Sequence, residues 1–397
     1  MSKQRHPFPF EGLLPDSGSR TGSHIMRSGL LMMGLAAVAF TAGCSGGSNS
    51  GSGGGGGGGG STPAATPSIT TAAAQNSAVI ATLADTTPAP TIYFTTDGST
   101  PTASSQVYTG PFLVASNLTV KAIATASGYT TSSVASQAFS PNIPSGTLVW
   151  SDEFTNTTSA NIAPNSAVWT YDTGGGGFGN SELEIYCAAG SSFSPCDLAN
   201  PNVYADTSGI LHIVARNPSA GVYTSTRMKT EGLFSFQYGR IEARMMVPES
   251  QGMWPAFWML GANINTTPWP ACGEADILEH IDGSNPSNKG YDWTQSSVHG
   301  TSLNGGTPYT TAGFSAAVWH TYGMIWTKGQ IQYYVDNPAN IYETFDASNM
   351  AGTWPFDTGP QFVIMNLAVG GSWPGNPDST TTFPSEVQVD YVRIYAN

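Results

Sequence analysis

The chain has 397 residues, of which only 10% are charged, and its formal net charge is −13. Negative charge repels polyanions, so the composition argues against nucleic acid and anionic membranes as partners, and weakly against sulfated or uronic polysaccharides. Gly, Ser and Thr are abundant and turn residues interrupt the whole chain, which favours an all-β protein with room for two or three domains. A neutral glycan is the polymeric partner that this charge suits best.

Residues 1–44 carry the features of an export signal. An apolar run spans 30–39, and Cys44 follows the triplet Thr-Ala-Gly at 41–43. Residues 26–44 therefore resemble a bacterial signal peptide that ends at a lipidation cysteine, with Thr where a lipobox usually has Leu. An ordinary secretory signal is the alternative. Because the apolar run is too short for a stable membrane span, we expect an exported protein, either a lipid-anchored cell-surface lipoprotein or a secreted one.

Two segments of different composition follow the signal. Residues 45–62 are almost all Gly and Ser, which is typical of a flexible linker. Residues 63–142 form a second unit, in which 92–96 and 118–124 have the composition of strands and 97–101 that of a turn. Roughly 80 residues with short strands fits a small β-sandwich.

The run Tyr-Phe-Thr-Thr-Asp-Gly-Ser-Thr-Pro at 93–101 gives this unit a family likeness. It resembles the immunoglobulin-like module of the chitobiase C-terminal type, which recurs beside bacterial carbohydrate enzymes. The resemblance leaves two roles open, glycan binding and a spacer. Because the segment has no cluster of aromatic residues that would make a sugar platform, we favour the spacer.

Residues 147–397 form the main domain. Strand-like runs recur in it between clusters of Gly, Pro, Asn and Asp, and no helical periodicity stands out. This pattern predicts two curved antiparallel sheets packed as a β-jelly-roll sandwich. The strand-like runs cover 209–215, 240–247, 325–335, 361–367 and 387–395.

The most informative segment of the chain places Glu274, Asp276 and Glu279 within six residues. Side chains on a strand alternate between faces, so Glu274 and Asp276 share one face. Strict alternation would place Glu279 on the core face, where an unpaired charge is costly. One extra residue in a β-bulge at 277–278 would return Glu279 to the side of Glu274. The spacing therefore predicts a bulge beside a functional site.

Three acids on one face repel one another, which raises the pKa of at least one. The cluster would then hold a carboxylate and a protonated acid together, the pair that glycosidic-bond cleavage requires. Trp254 and Trp258 lie four residues apart just upstream and share a face; with Trp269 they are candidate platforms for sugar rings, or simply core. The alternatives for the acids are an exposed strand or a helix N-terminus, but Pro268 and Pro270 oppose a long helix.

The motifs occur in an order that defines a family. They are LVWSDEF at 148–154, GNSELE at 179–184, YTSTR at 223–227, YGRIEAR at 238–244, GMWPAFWMLG at 252–261, WPACGEADILE at 269–279, NLAVGG at 366–371 and VDYVR at 389–393. Together they resemble a family-16 glycoside hydrolase, whose fold is a concanavalin A-like jelly roll. The acids have the bulged form of the family signature, Glu-x-Asp-x-x-Glu, which is similar to the laminarinase branch and unlike the unbulged lichenases.

The resemblance implies a role for each acid. Glu274 would be the nucleophile, Glu279 the general acid/base, and Asp276 would tune the proton traffic between them. It also implies retention by double displacement at internal β-1,3 linkages of a laminarin-type β-glucan, with no cofactor required for catalysis. Ala275 stands where the family usually has a larger apolar residue, which changes packing and removes no chemical group.

The resemblance also implies which side chains bind substrate. They are Asn180, Arg227, Glu242, Trp254, Trp258, Trp269 and His299. His299 would lie beside the acids, with a structural histidine as the alternative. Arg227 and Glu242 would line the cleft, and an ion pair between strands is their alternative.

A structural calcium ion is a further implication of the resemblance. Family members often carry one on the convex side, and Glu153, the carbonyl of Gly209 and Asp390 match the positions of its ligands. Carboxylate and carbonyl oxygens suit Ca²⁺. Ordinary polar contacts are the alternative for the two carboxylates.

The main domain contains three cysteines. Cys187 and Cys196 are nine residues apart with Gly, Ser and Pro between them, so in an exported protein we expect a loop-closing disulfide. Cys272 is then left over, and we expect it to be a small buried apolar residue and not a nucleophile, because no activating pair is evident.

The leading hypothesis is a monomeric, exported endo-β-1,3-glucanase with a β-glucan as its partner. Mixed-linkage β-1,3-1,4-glucanase, and then agarase or carrageenase, are alternative activities on the same scaffold. A glucan-binding protein without catalysis is the alternative from another class, and the intact Glu274 and Glu279 argue against it. Transglycosylation would use the same residues as hydrolysis.

Overall fold

The computed structural model describes residues 62–248, 250–282 and 292–397. The chain divides into two compact units, 1–60 and 61–397, and the described residues belong to the second. The predicted export signal, the lipidation site at Cys44 and all but the last residue of the predicted linker lie outside the described residues.

The regular structure of the described residues consists of strands and one short 3₁₀ helix, Gln75–Ser77. None of the described helices is long and apolar enough to cross a membrane. The strands are β1 (Ser68–Ala73), β2 (Val79–Ala84), β3 (Thr91–Thr95), β4 (Gln106–Val107), β5 (Phe112–Val114), β6 (Leu118–Thr125), β7 (Ala135–Phe139), β8 (Leu148–Asp152), β9 (Thr170–Asp172), β10 (Glu184–Tyr186), β11 (Val203–Ala205), β12 (Leu211–Ser219), β13 (Val222–Ser225), β14 (Arg227–Lys229), β15 (Ser235–Phe236), β16 (Gly239–Met246), β17 (Met253–Gly261), β18 (Glu274–Glu279), β19 (Thr294–Gly300), β20 (Leu303–Tyr309), β21 (His320–Thr327), β22 (Gln330–Val335), β23 (Ile341–Asp346), β24 (Gln361–Val369) and β25 (Ser385–Tyr395).

The first seven strands form a small β-sandwich, which we call the N-terminal module. One layer is β1-β2-β5 and the other is the sheet β4-β3-β6-β7. Alternate apolar residues of these strands meet between the layers, where the ring of Phe94 stacks on that of Phe112 at 5.5 Å and packs with Leu83 and Val120. The immunoglobulin-like sandwich that the sequence predicts is thus confirmed.

The remaining strands form two stacked sheets, the jelly-roll sandwich that the sequence predicts. The larger sheet, which has eleven strands when β1-β2-β5 of the module are included, continues as β15-β24-β17-β18-β19-β20, with β14 beside β24 and β9 beside β14. The smaller sheet runs β10-β13-β12-β25-β16-β21-β22-β23, with β11 and β8 at its side. Apolar side chains from both sheets fill the space between them, among them Phe257, Met365, Trp326 and Ile394.

Strand β24 lies at the centre of the larger sheet, and all nine of its residues are buried. Its Val363, Met365 and Leu367 point into the sandwich core. On the opposite face, Phe362 and Ile364 form a smaller apolar cluster with Leu260 and Cys272. The continuous apolar run of this strand therefore reflects cover on both faces, and Cys272 is a buried free thiol as the sequence predicts.

The N-terminal module and the jelly roll share one continuous sheet. Strand β5 pairs in parallel with β15, with Phe112 opposite Ser235 and Leu113 opposite Phe236. Leu113 packs in the core of the jelly roll, while Phe112 packs in the core of the module. The alternation of side chains along β5 thus makes one strand serve two cores.

One strand prediction is wrong. The run 325–335 is two antiparallel strands, β21 and β22, joined at Lys328-Gly329. Gly329 has φ of +77°, a left-handed conformation that glycine adopts without steric cost and that a tight hairpin requires. The glycine between two apolar stretches was the available signal for this turn.

Candidate active site

A β-bulge in β18 brings the three acids to one face of the larger sheet, as the spacing predicts. Along the pairing with β17, Phe257 lies opposite Leu278 and Trp258 opposite Asp276, which leaves Ile277 without a partner. Ile277 and Leu278 are both buried in the core. Two successive residues therefore point inward, and Glu279 returns to the face of Asp276.

His299 joins Asp276 and Glu274 from the neighbouring strand β19. Its Nε2 lies 3.3 Å from Oδ2 of Asp276 and 3.7 Å from Oε1 of Glu274. The three groups hold their ligand atoms within 4.8 Å of one another. Burial opposes a charge on His299, but its hydrogen bond with Asp276 and the surrounding carboxylates raise its pKa to about 9. A protonated imidazole thus places a positive charge beside the two carboxylates.

Glu279 has two hydrogen-bond donors of its own. The indole N–H of Trp254 donates to Oε1 at 3.3 Å, and the hydroxyl of Ser297 donates to Oε2 at 3.1 Å. Sequence reasoning missed Ser297, although it lies two residues before His299 and therefore shares the face of that side chain. The period-two pattern of β19 was the signal that would have found it.

Burial raises the pKa of each of the three acids, and it is the largest influence on each. For Glu274 it is opposed by the positive charges of His299 and Arg227. For Asp276, the neighbouring Glu274 and Glu279 add to the increase. Because like charges this close cannot all ionise readily, the cluster retains protons where an isolated carboxyl would lose them.

Trp258 and Arg227 form a stacked pair beside the acids. The guanidinium of Arg227 lies 4.6 Å from the centre of a Trp258 ring, and it pairs with Asp172 on β9 at 3.0 Å. The indole N–H of Trp258 donates to Asn366 at 2.8 Å. This fixes the orientation of the indole, so that its ring is a rigid surface at the side of the cleft. Asn366 is a second residue that sequence reasoning missed.

Trp269 is the exposed aromatic of the site. It is 48% exposed, and its ring centre lies 6.5 Å from that of His299. Its indole also donates a hydrogen bond to Glu274, which lowers the pKa of that acid. Trp254, Trp258, Trp269 and His299 therefore surround the carboxylates, at the positions where the sequence places substrate contacts.

Asn180 is exposed at the end of a buried polar network. Its amide donates to Oε1 of Glu182 at 3.1 Å, and the hydroxyl of Tyr186 donates to Oε2 at 2.9 Å. Asn366 donates to the same Tyr186 oxygen, so the chain of hydrogen bonds reaches Trp258. The network connects the loop that carries Asn180 to the cleft.

The prediction that Glu242 lines the cleft is wrong. It lies on β16 in the smaller sheet, whereas the acids lie on β18 in the larger one. Its carboxylate accepts hydrogen bonds from Arg240, Tyr334 and Tyr395. The expected alternative, an ion pair with Arg227, does not form either, because the two residues belong to different sheets.

The predicted calcium ligands are engaged in other contacts. The carboxylate of Glu153 forms a two-pronged pair with Arg393 at 2.8 and 2.9 Å. Asp390 pairs with Arg244 at 2.7 Å. Gly209 lies close to the backbone carbonyl of Glu153. With each carboxylate committed to a guanidinium, these side chains do not fit a calcium site, and no step of the chemistry depends on one.

A disulfide joins Cys187 and Cys196, whose Cα atoms are 5.8 Å apart. It closes the loop that follows β10. The backbone N–H of Cys187 also bonds to the carbonyl of Ser225 at 2.8 Å, which ties this loop to the end of β13.

Two protein-family models match the chain. Residues 194–393 match Glycosyl hydrolases family 16, and residues 70–136 match the Chitobiase/beta-hexosaminidase C-terminal domain. The chain belongs to glycosyl hydrolase family 16, and it carries a chitobiase C-terminal-like module before the hydrolase domain.

Relatives of known activity support this placement. A Beta-glucanase of Rhodothermus marinus is 37% identical over 275 residues, an alignment that covers 64% of this chain and 87% of that protein. Two solved structures have the same fold. The catalytic domain of an endo-1,3-beta-glucanase (laminarinase) from Thermotoga petrophila RKU-1 is 33% identical with a TM-score of 0.54, covering 63% of this chain and 97% of that one. The endo-beta-1,3-glucanase of Pyrococcus furiosus is 36% identical with a TM-score of 0.53, covering 63% and 94%.

Proposed function

We propose that the chain is a retaining endo-glycoside hydrolase that cleaves internal β-1,3 linkages of laminarin-type glucans. The observation that carries the proposal is the bulge at Ile277 and Leu278, which places Glu279 on the same face as Glu274 and Asp276. The two solved structures described above, both endo-1,3-glucanases, share the fold at 33% and 36% identity. Substrate and reaction thus follow from the site and from the relatives together.

Glu274 is suited to act as the nucleophile. His299 and Arg227 place positive charge near it, and Trp269 donates a hydrogen bond to it, all of which favour its ionised form. In the first step, an oxygen of Glu274 attacks the anomeric carbon and the bond to the leaving sugar breaks. A covalent glycosyl-enzyme results, which requires the two reacting carboxyl groups to lie ~5–5.5 Å apart.

Glu279 is suited to act as the general acid and then the base. Burial raises its pKa, and the charge of Glu274 adds to that effect, so a proton is retained for the leaving oxygen. After that proton has gone, the donors Trp254 and Ser297 stabilise the carboxylate. The carboxylate then takes a proton from water, which hydrolyses the glycosyl-enzyme and restores both acids.

The aromatic side chains explain a preference for a neutral glucan. A sugar ring presents C–H groups on its faces, and such faces pack on indole rings. Trp269 offers an exposed ring beside the nucleophile, and Trp258 is held in place by its bond to Asn366. The net charge of −13 agrees with an uncharged substrate.

The test is release of reducing sugar by the full chain on four polymers in parallel: laminarin, barley mixed-linkage glucan, agarose and κ-carrageenan. We expect strong release from laminarin and none from the Glu274→Gln variant, which keeps the shape of the side chain and loses its charge. Release only from another polymer would keep the mechanism and replace the substrate. A folded protein with no release, but with binding to laminarin, would replace hydrolysis by a binding role.

We also propose export with lipidation at Cys44, on the grounds of the signal-like segment 26–44. The disulfide between Cys187 and Cys196 supports an oxidising compartment. Mass spectrometry of the N-terminal peptide from membranes of a bacterial host would detect a diacylglyceryl group on Cys44. A soluble mature protein cleaved elsewhere would favour the secretory alternative.

A further inference from the structure

The N-terminal module contacts the jelly roll through more than the shared sheet. The Asn76 amide donates to the carbonyl of Leu148 at 2.8 Å, and the hydroxyl of Ser235 donates to the carbonyl of Pro111 at 3.3 Å. The ring of Tyr238 packs against both hydrophobic cores. Backbone pairing, side-chain bonds and a shared core are features of one folded unit and not of a tethered domain.

Two glycines bring the backbones of the two parts into direct contact. A Cβ added to Gly110 would lie 2.4 Å from the carbonyl oxygen of Gly232, a distance at which the backbones would have to separate. Gly232 itself has φ of +74°, which a side chain would strain. The module therefore lies against the 230–234 turn with no room for a side chain at Gly110.

From this contact the module reaches a segment of the active site. The hydroxyl of Thr109 donates to the carbonyl of Ala262 at 3.0 Å. The N–H of Ala262 in turn bonds to the carbonyl of Pro360. Ala262 begins the 262–273 segment, which connects β17 to β18 and includes Trp269. One module residue thus holds the start of the segment that carries the exposed indole beside Glu274.

We propose that the N-terminal module positions the 262–273 segment, and with it Trp269. The module is then a fixed part of the hydrolase domain, and neither a spacer nor a separate glycan-binding unit. The contacts of Gly110 with Gly232 and of Thr109 with Ala262 hold the segment in place. The effect on glucan hydrolysis rests on the proposed function, whereas the effect on the segment itself does not.

The test uses two variants of the full chain, Gly110→Val and Thr109→Val. The first forces a side chain against Gly232, and the second removes one hydroxyl without changing the shape of the residue. Their controls are Ser133→Val and Thr131→Val, two exposed positions of the module that lie before β7 and outside strands β5 and β6. Hydrogen–deuterium exchange detected by mass spectrometry measures the exchange rate of the backbone amides in the 262–273 segment. Steady-state kinetics are measured on two substrates, a soluble β-1,3-linked glucose pentamer and insoluble curdlan.

We expect faster exchange in 262–273 for both variants and unchanged exchange for both controls. Since displacing a positioning group by ~1 Å can cost ~100-fold in rate, we expect kcat/KM on the pentamer to fall about tenfold for Gly110→Val, and less for Thr109→Val. Curdlan should be affected to the same degree, because the defect lies at the active site.

Three results would overturn the proposal. Unchanged exchange in 262–273 with a folded Gly110→Val variant would return the module to the role of a spacer. A loss confined to curdlan would assign it to glucan binding, because the short pentamer would not depend on a distant binding surface. Faster exchange with unaltered kcat/KM on the pentamer would leave the contact structural only. If the unmodified chain hydrolyses neither glucan, the proposed function fails, and the exchange experiment still decides whether the module holds the segment.

Discussion

His299 and Asp276 lie 3.3 Å apart across two neighbouring strands, and the imidazole is also 3.7 Å from Glu274. Burial opposes the charge of the histidine, yet the carboxylates raise its pKa to about 9, so it remains protonated at neutral pH. Its positive charge lowers the pKa of Glu274, Asp276 and Glu279 against the large effect of burial. The ionisation of Glu274, the proposed nucleophile, thus depends on a neighbouring residue that forms no covalent bond in the proposed reaction.

Replacing His299 should therefore move the pH profile. In His299→Gln, Glu274 loses the positive charge that opposes burial, so its pKa rises and more base is needed to ionise it. We expect the acidic limb of kcat/KM against pH to shift to higher pH by about one unit, with a smaller change at the optimum. The measurement is kcat/KM on laminarin from pH 4 to pH 9.

Trp269→Phe is the matched comparison for this experiment. It removes a hydrogen bond to Glu274 but no charge, so we expect a smaller shift in the same direction. An acidic limb that stays in place in His299→Gln, or moves to lower pH, would mean that the histidine does not set the ionisation of Glu274.

The role of Glu279 predicts a dependence on the leaving group. Loss of a general acid costs typically ~10²–10⁴-fold in rate, and we expect a fall of this size for Glu279→Gln on laminarin. The acidic phenol of an activated aryl β-glucoside leaves without being protonated. The burst of phenol released from such a substrate should therefore survive in the variant. Equal losses on both substrates would contradict the assignment of Glu279 as the acid.

The sequence predicted the acids better than it predicted their surroundings. The bulge followed from the cost of turning Glu279 into the core, which is a local argument about one strand, and Ile277 is the unpaired residue. Glu242 was misplaced because motif order does not say which sheet a strand joins. The pairing of β5 with β15 was not predicted, because contact between strands more than a hundred residues apart depends on tertiary packing that no local pattern records.

The position of Glu242 makes a prediction that separates stability from activity. Glu242→Gln weakens charge-assisted hydrogen bonds from Arg240, Tyr334 and Tyr395, each net worth ~1.5–3 kcal/mol when intact. We expect the free energy of unfolding to fall by about 1–3 kcal/mol, while kcat/KM on laminarin below the melting range changes by less than about twofold. Urea unfolding and kinetics on the same sample check both parts. A variant of normal stability and poor activity would return Glu242 to the cleft.

Glu184 should make the protein less stable as the pH rises. Burial raises its pKa to about 8, and the neighbouring Glu182 adds to the increase. Its Oε2 accepts the backbone N–H of Val369 at 2.7 Å, and the side chain is almost completely buried. The carboxyl is therefore protonated in the folded state when the unfolded chain has already lost that proton.

The direction in which stability changes with pH follows from this difference in protonation between the folded and the unfolded state. A raised folded-state pKa means that the contribution of Glu184 is complete below its unfolded value of ~4.3 and is lost as the pH rises toward 8. Glu184→Gln cannot ionise and can still accept the Val369 N–H, so its free energy of unfolding should decline less between pH 5 and pH 8. We expect the free energies of unfolding of Glu184→Gln and of the unmodified protein to diverge by a few kcal/mol at most over this pH range, on the order of the linkage energy of a buried carboxyl.

Glu386→Gln is the control with the opposite sign. The hydrogen bond with His212 lowers the pKa of Glu386, so its contribution is present above the unfolded value and is lost as the pH falls. Urea unfolding at intervals of half a pH unit compares the three proteins. If Glu184→Gln parallels the unmodified protein from pH 5 to pH 8, the carboxyl of Glu184 is ionised in the folded state.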